Sequence, residues 1–358
     1  MKRKKIFIGL LAICFLIGSL YVLQKLLMPK YMSGIIEGAL IAEYYEEDKD
    51  HDVIFIGDCE VYENISPITL WNDYGISSFI RGSAQQLVWH SYYLLEETLK
   101  YEKPDVVVFN VLALKYNEPQ KEAYNRMTID GMPLSLTKLN MIKASMLEHE
   151  NMIDYIFPIL RYHGRWSELN QEDFTYIFDK DKISHNGYYM RVDVRPVEVI
   201  PRFKKLADYQ FGDNAYDYLD RMVKLCDEND IEFVLVKTPS LYPHWYDEWD
   251  VQMKDYAEKN DLLYINYIEI ADEIGIDFNT DTYDAGLHMN LSGAEKVARH
   301  FGETIQEAFG IEDRRSDAAL SEVWDHKTKL YNQEKEAQYA EIKEYGYLKS
   351  YGAKPITD

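Results

Sequence analysis

Cys59 and His288 are the side chains whose type and setting best suit group-transfer chemistry. Cys59 stands in residues 51–67, HDVIFIGDCEVYENISP, two positions past a short apolar run. A thiol attacks as its thiolate, whose ordinary pKa is about 8.5, so it needs a nearby base and donors to its anion. Asp58 and Glu60 oppose that, because flanking carboxylates disfavour another negative charge. His288 stands in residues 281–293, DTYDAGLHMNLSG. Among nine histidines it is singled out by a loop setting and by the acids before it. Either Asp284 or Asp281 could hold the ring in one tautomer, the orienting role in a catalytic triad. Gly82 and Asn110 close two other apolar runs, and a glycine amide with an asparagine amide are donors that an oxyanion hole needs. Taken singly, each has a plainer reading: Cys59 as a small core residue, His288 as a surface loop residue, Gly82 and Asn110 as strand ends. Their order along the chain makes the joint reading stronger.

Positioning these residues requires a sheet. Residues 52–57 are β-branched and aromatic and apolar on both faces, as in a central strand covered by helices. Residues 76–80, 106–109, 231–236 and 262–265 repeat that pattern. Between them lie helical patterns at 67–74, with Ser66 as N-cap and Pro67 in the first turn, and at 84–100, 214–228 and 244–260. A further helix is expected from the S-x-x-E box at Ser292 to about Phe309. The alternation implies a parallel α/β sheet, which gathers ligands at the carboxyl ends of its strands. Residues 117–212 break the alternation and are expected to form a helical insertion over that edge. Residues 30–50 are expected to form a stalk, and 312–358 a charged extension with a surface helix over 317–345.

The chain has 358 residues and a formal net charge of −22, which argues against a nucleic-acid partner. The charge suits a milieu rich in divalent ions, or simply a solvated acidic surface. Its 30 tyrosines are a weak pointer to carbohydrate. Lys2-Arg3-Lys4-Lys5 precedes an uncharged stretch, 6–23, close to the length that spans a bilayer. With no small-x-small cleavage site before Pro29, an uncleaved signal anchor is expected, with the basic end in the cytoplasm and the rest outside. The domain division is then 1–30 anchor, 31–311 catalytic-type domain and 312–358 extension. Cys14 falls in the anchor and Cys226 on an apolar helix face. No metal or organic cofactor is implied, because no Cys/His cluster or phosphate loop occurs.

The blocks Gly57-Asp58-Cys59, Gly82, Asn110 (or Asn117) and Asp284…His288 resemble those of the SGNH (GDSL-like) hydrolase superfamily over about 50–115 and 214–310. GDCEVYENISP and RGSAQQ behind one membrane segment look most like membrane-anchored acyl-transfer proteins of lipoteichoic acid D-alanylation and alginate O-acetylation. The resemblance implies a three-layer, flavodoxin-like α/β/α fold. It also implies a membrane-bound O-acyltransferase as partner, and a polysaccharide or teichoic acid as acceptor of an acetyl or D-alanyl group. Two departures stand out. Cysteine replaces the family's serine, and Asp284 lies four residues before His288 where the family has three. The alternative is a non-catalytic polysaccharide-binding or assembly protein on a lapsed hydrolase fold.

Overall fold

A computed structural model describes residues 2–29, 37–178 and 182–351. Parts of the expected stalk (30–36), insertion (179–181) and extension (352–358) lie outside the described residues.

Five parallel strands form one sheet in the order β2-β1-β3-β4-β5. They are β1 (Val53–Gly57), β2 (Ser78–Gly82), β3 (Val106–Asn110), β4 (Glu232–Lys237) and β5 (Leu263–Asn266). The first three are wholly buried; β1 and β3 are accordingly apolar without alternation, while β2 buries Ser78 and Arg81, the latter bonded to Leu94 O and Thr98 Oγ1. The order puts β1 at the point where the winding reverses, with β2 on one side and β3 on the other. Residues at the carboxyl end of β1 therefore open onto a crevice.

The helices follow in chain order. An N-terminal helix α1 (Lys2–Leu27) and a short α2 (Glu37–Glu43) precede the sheet. Then come α3 (Cys59–Tyr62) and α4 (Pro67–Tyr74) after β1, and α5 (Val88–Thr98) after β2. The insertion holds α6 (Glu122–Ile129), α7 (Leu136–Ser145), α8 (Met152–Ile156), α9 (Ile159–Tyr162) and α10 (Gln171–Phe178). The remainder are α11 (Asp213–Asp227), α12 (Asp247–Asn260), α13 (Leu291–Phe309) and α14 (Ala318–Tyr345). One core layer packs Phe55, Val108 and Val234 against Phe301 and Ile305 of α13. The opposite layer packs Ile56, Phe109 and Leu235 against α5, α11 and α12. The α/β/α sandwich with a helical insertion is thus present as the strand pattern implies.

Several local expectations are corrected. The second strand starts at Ser78 rather than 76. Gly75 caps α4 in the left-handed region at φ 69°, and the Ser77 hydroxyl is tied to Asp52 Oδ2 at 2.8 Å, so 76–77 stay outside the strand. The helix expected from 84 starts at Val88, because Ser83–Gln86 forms a turn closed by Gln86 N–H to Ser83 O. The N-cap of α13 is Asn290, whose Oδ1 accepts from Gly293 N, and not Ser292. Residues 40–44 are no free stalk: Leu40, Ile41 and Tyr44 are buried in the body of the fold. Nor is α14 merely superficial. Trp324 stacks on Trp71 at 5.2 Å between centroids, and the Tyr331 and Ser66 hydroxyls are 3.0 Å apart.

The helix α1 is long and apolar enough to cross a membrane, and its apolar side chains from Ile6 to Leu23 are exposed.

Candidate active site

The site begins with a close approach of two strands. At Gly57 any Cβ would stand 2.9 Å from Asn110 Cβ and 2.4 Å from Val61 Cγ2, so only glycine lets β1 turn here. Asp58 then caps α3, its Oδ1 accepting from Glu60 N at 3.1 Å. Cys59 is the first residue of that turn and is half-buried.

The second half arrives on the loop before α13. Asp284 grips His288 twice, through Oδ1 to the His288 N–H at 2.8 Å and through Oδ2 to ring Nδ1 at 2.7 Å. Asp281 is engaged elsewhere, with Lys296 Nζ at 2.6 Å and the Asp277 N–H at 2.8 Å. Of the two acids left open by sequence, Asp284 is the one beside the ring. The extra residue between Asp284 and His288 is absorbed by Ala285 and Gly286, both at positive φ, 66° and 96°. Thr282 closes the loop, its Oγ1 accepting from Gly286 N and donating to His288 O, each at 2.7 Å. Asn64 ties the two halves together, accepting from Met289 N at 2.8 Å and donating to Thr238 Oγ1 at 3.1 Å.

Cys59 and His288, 229 positions apart, are thereby close enough to perturb each other's ionisation. The thiol and the ring interact as a loose hydrogen-bonding pair, but no bond of good geometry reaches the buried Nε2. Such looseness is ordinary in a site without substrate. Burial pushes the Cys59 thiol up to about 11, with Asp58 and Glu63 adding to the push and His288 opposing it. The partial exposure of the residue moderates that burial effect. The ring of His288 is held well above the ordinary imidazole value. Burial opposes this, but Glu63, Cys59 and the Asp284 hydrogen bond outweigh it.

Glu63 was not singled out by sequence. It sits one turn after Cys59, with Oε2 3.4 Å from His288 Nδ1 and hydrogen-bonded by the Tyr283 hydroxyl. Its carboxyl is raised by burial, and its Oε1 has no partner. Arg191, on the segment leaving the insertion, lies over the Tyr283 ring at 4.4 Å and pairs with Asp193 at 2.7 Å.

Gly82 lies beside Gly57 across the β1–β2 pairing and under Tyr62, 3.1 Å from where its Cβ would be. The Asn110 side chain turns to another cluster. Its Nδ2 donates to Glu60 Oε2 at 3.1 Å and its Oδ1 accepts from Leu112 N at 2.9 Å. Asn117 is remote in role, capping the start of α11 through Asn214 N at 3.0 Å. Glu60 is buried opposite Lys237, with Nζ–Oε2 at 2.8 Å. Burial would raise Glu60, but the Lys237 cation wins and lowers it. The sequence marks each partner as a buried charge, a lysine ending the strand 232–237 and an acid following the nucleophile position, but does not pair them.

No family model and no curated protein matches this chain. Solved structures similar to it include a Bacteroides fragilis protein assigned as an acylhydrolase, at 13% identity and TM-score 0.37, covering 75% of this chain and 94% of that one. Another is a GDSL-like lipase from Bacteroides thetaiotaomicron, at 12% identity and TM-score 0.37, covering 76% of this chain and 98% of that one. Both likenesses are remote, and neither bears on activity here.

Proposed function

We propose that this protein is a membrane-anchored acyl-transfer enzyme of the SGNH type. Its substrates would be acetyl or D-alanyl groups carried by a cell-envelope polysaccharide or teichoic acid. The observation that carries the reading is the part-buried Asp284–His288 pair at 2.7 Å, set beside a thiol at the carboxyl end of β1. In the proposed cycle the ring, held at Nδ1 by Asp284, first gives up its resting Nε2 proton to solvent and then takes the Cys59 proton there. The thiolate adds to the acyl carbonyl, the bond to the donor's heteroatom breaks, and the leaving group takes the proton from Nε2. An acceptor hydroxyl, or water, then gives its proton to Nε2 and attacks the thioester, freeing the thiolate, which takes that proton back from Nε2. The amides of Gly82 and Cys59 are the proposed oxyanion donors, joined by Asn110 only when its amide leaves Glu60.

The anchor reading assigns α1 to the membrane with Lys2-Arg3-Lys4-Lys5 inside, following the positive-inside rule. A membrane-bound O-acyltransferase supplying the acyl group belongs to the same proposal, and its support is the resemblance of GDCEVYENISP and RGSAQQ.

A second reading, a non-catalytic envelope-polysaccharide binder, has specific observations behind it. Burial raises the Cys59 thiol, so little of it is thiolate at neutral pH. The ring also rests as imidazolium, and the Asn110 amide is occupied. One experiment separates the two: envelope acyl content in cells carrying wild-type protein or Cys59→Ala at equal abundance. Loss of acylation supports the enzyme; unchanged acylation sinks it and promotes the binder.

A further inference from the structure

The end of α1 is not free. Arg165 donates through Nη1 to the carbonyls of Leu27 and Met28, each at 2.8 Å, and through Nη2 to Asp173 Oδ1 at 3.3 Å. The last carbonyls of a helix lack intrahelical partners, and a cation there complements the helix dipole. The helices α9 and α10 and the turn at 163–167 pack against α1 at the same place. About 20 residues of helix cross the roughly 30 Å hydrocarbon core. Counted from Ile6, that length ends near Lys25. Leu27, Met28 and the Arg165 that holds them then lie at headgroup level.

Around Arg165, α8 to α10 turn large apolar side chains outward. Ile153, Phe157, Leu160 and Phe174 are each about half exposed, and Trp166 is 72% exposed. Soluble surfaces rarely gather such residues in one patch. Aromatic and arginine side chains at the end of an apolar span are the composition of a membrane–water interface.

We propose that this face of the insertion lies in the lipid interface of the bilayer that α1 crosses, with Trp166 and Phe157 among the headgroups and upper acyl chains. The occupant is phospholipid, argued from the continuity of the patch with α1. The protein would thus be held at a fixed attitude to the membrane by two contacts, the span and the insertion. This inference rests on the anchor reading above.

The test uses full-length protein in phosphatidylcholine nanodiscs. Co-elution with the discs is scored first; if that fails, the anchor reading fails and this inference with it. Trp166 is then isolated as the difference between wild type and Trp166→Phe, the other five tryptophans being buried. The expected result is that lipid brominated near the headgroup removes most of the Trp166 emission, while aqueous acrylamide has little effect. Leu160→Asp should keep co-elution and shift that emission to the red. Quenching by acrylamide but not by bromolipid overturns the proposal, because the face is then in water. Protection from both also overturns it, because protein, a second copy included, then covers the face.

Discussion

Two carboxylates three positions apart, Glu60 and Glu63, head two buried clusters built very differently. Glu60 is saturated. Lys237 Nζ reaches both its oxygens at 3.0 and 2.8 Å, Ser240 Oγ donates at 2.6 Å, Thr238 Oγ1 at 3.0 Å and Asn110 Nδ2 at 3.1 Å. Lys237 in turn reaches Thr238 O and Ser240 Oγ. Around Glu63 the accounting does not close: Glu63 Oε1 and His288 Nε2 are buried without partners. Buried polar groups are nearly always satisfied, and exceptions mark strain or function. The Glu60 cluster is closed within the fold, whereas the Glu63 cluster, which includes the proposed site, is not. Glu60 welds β3 and β4 to the turn after β1. Glu63, His288, Asp284 and Cys59 leave two polar atoms open toward chemistry.

The comparison is broken most directly by exchanging the consequences of mutation. His288→Ala and Cys59→Ala should each lower acyl transfer at least about a thousandfold, since members of one catalytic unit fail together. Cys59→Ala should barely move the melting temperature, whereas His288→Ala should lower it, because the ring pairs with Glu63 and Asp284 and contributes stability through both. A His288→Ala protein that retains transfer would deny the open cluster its role.

Lys237→Met should do the reverse. Removing one partner of a buried pair leaves an uncompensated carboxylate and costs about 3–5 kcal/mol. Chemical denaturation should show that loss. The double variant Glu60→Leu/Lys237→Met should be milder than the single one, because no charge is then stranded. An equal or greater loss would mean that the pair does more than balance charge.

A smaller effect separates the two acids at the ring. Asp284 is nearer at 2.7 Å, against 3.4 Å for Glu63, but Glu63 is the more deeply buried and so less screened. Glu63→Gln should therefore lower the His288 pKa, and by more than Asp284→Asn does. Ring NMR titration reads this directly. Asp284→Asn should cost more transfer, because it releases ring and loop backbone together. The pH dependence of stability carries the matching signs. His288, raised on folding, contributes stability that is full below its unfolded value near 6.5 and is lost as pH rises through the higher folded value. Glu60, lowered on folding, contributes above about 4.5, and that contribution is lost as pH falls. Glu63→Gln should remove part of the alkaline loss, and Lys237→Met the acid one.

Much of the frame was legible because buried parallel strands carry continuous apolar runs. Val53–Gly57 and Val106–Asn110 announce themselves, and a strand-end cysteine with a late Asp/His pair can be read from order alone. Pairing across the sheet cannot. Lys237 and Glu60 are 177 positions apart, and nothing in either neighbourhood names the other. Asn110 looked like an open donor because its strand end is visible in sequence and its Glu60 partner is not. The role of α14 was hidden for a different reason. Its surface is charged nearly all round, and only Trp324, Tyr331 and Gln338 are buried, too few to stand out as a stripe. Glu63 was passed over because an acid after a helical turn is usually solvent-facing.

The last comparison lies inside the site, between two adjacent residues that both hold positive φ. Ala285 carries the extra residue of the loop at φ 66°, where its own N–H reaches Arg195 O at 3.1 Å. Gly286 follows at φ 96°, and a Cβ there would stand 2.8 Å from Val197 Cγ2 and 2.9 Å from Leu241 Cδ1. Ala285→Gly relieves a left-handed alanine, worth about 1 kcal/mol, but loosens the unfolded chain by about 0.4–1 kcal/mol. The two nearly cancel, so stability should change by less than about 0.5 kcal/mol, and the Asp284–His288 bond should persist in the ring titration. Gly286→Ala meets both strain and collision, and should cost about 1–3 kcal/mol. It should also lower transfer, because the loop that presents His288 must shift. If both variants proved equally silent, the loop would be yielding, and the four-residue spacing of Asp284 and His288 would owe nothing to these two backbone positions.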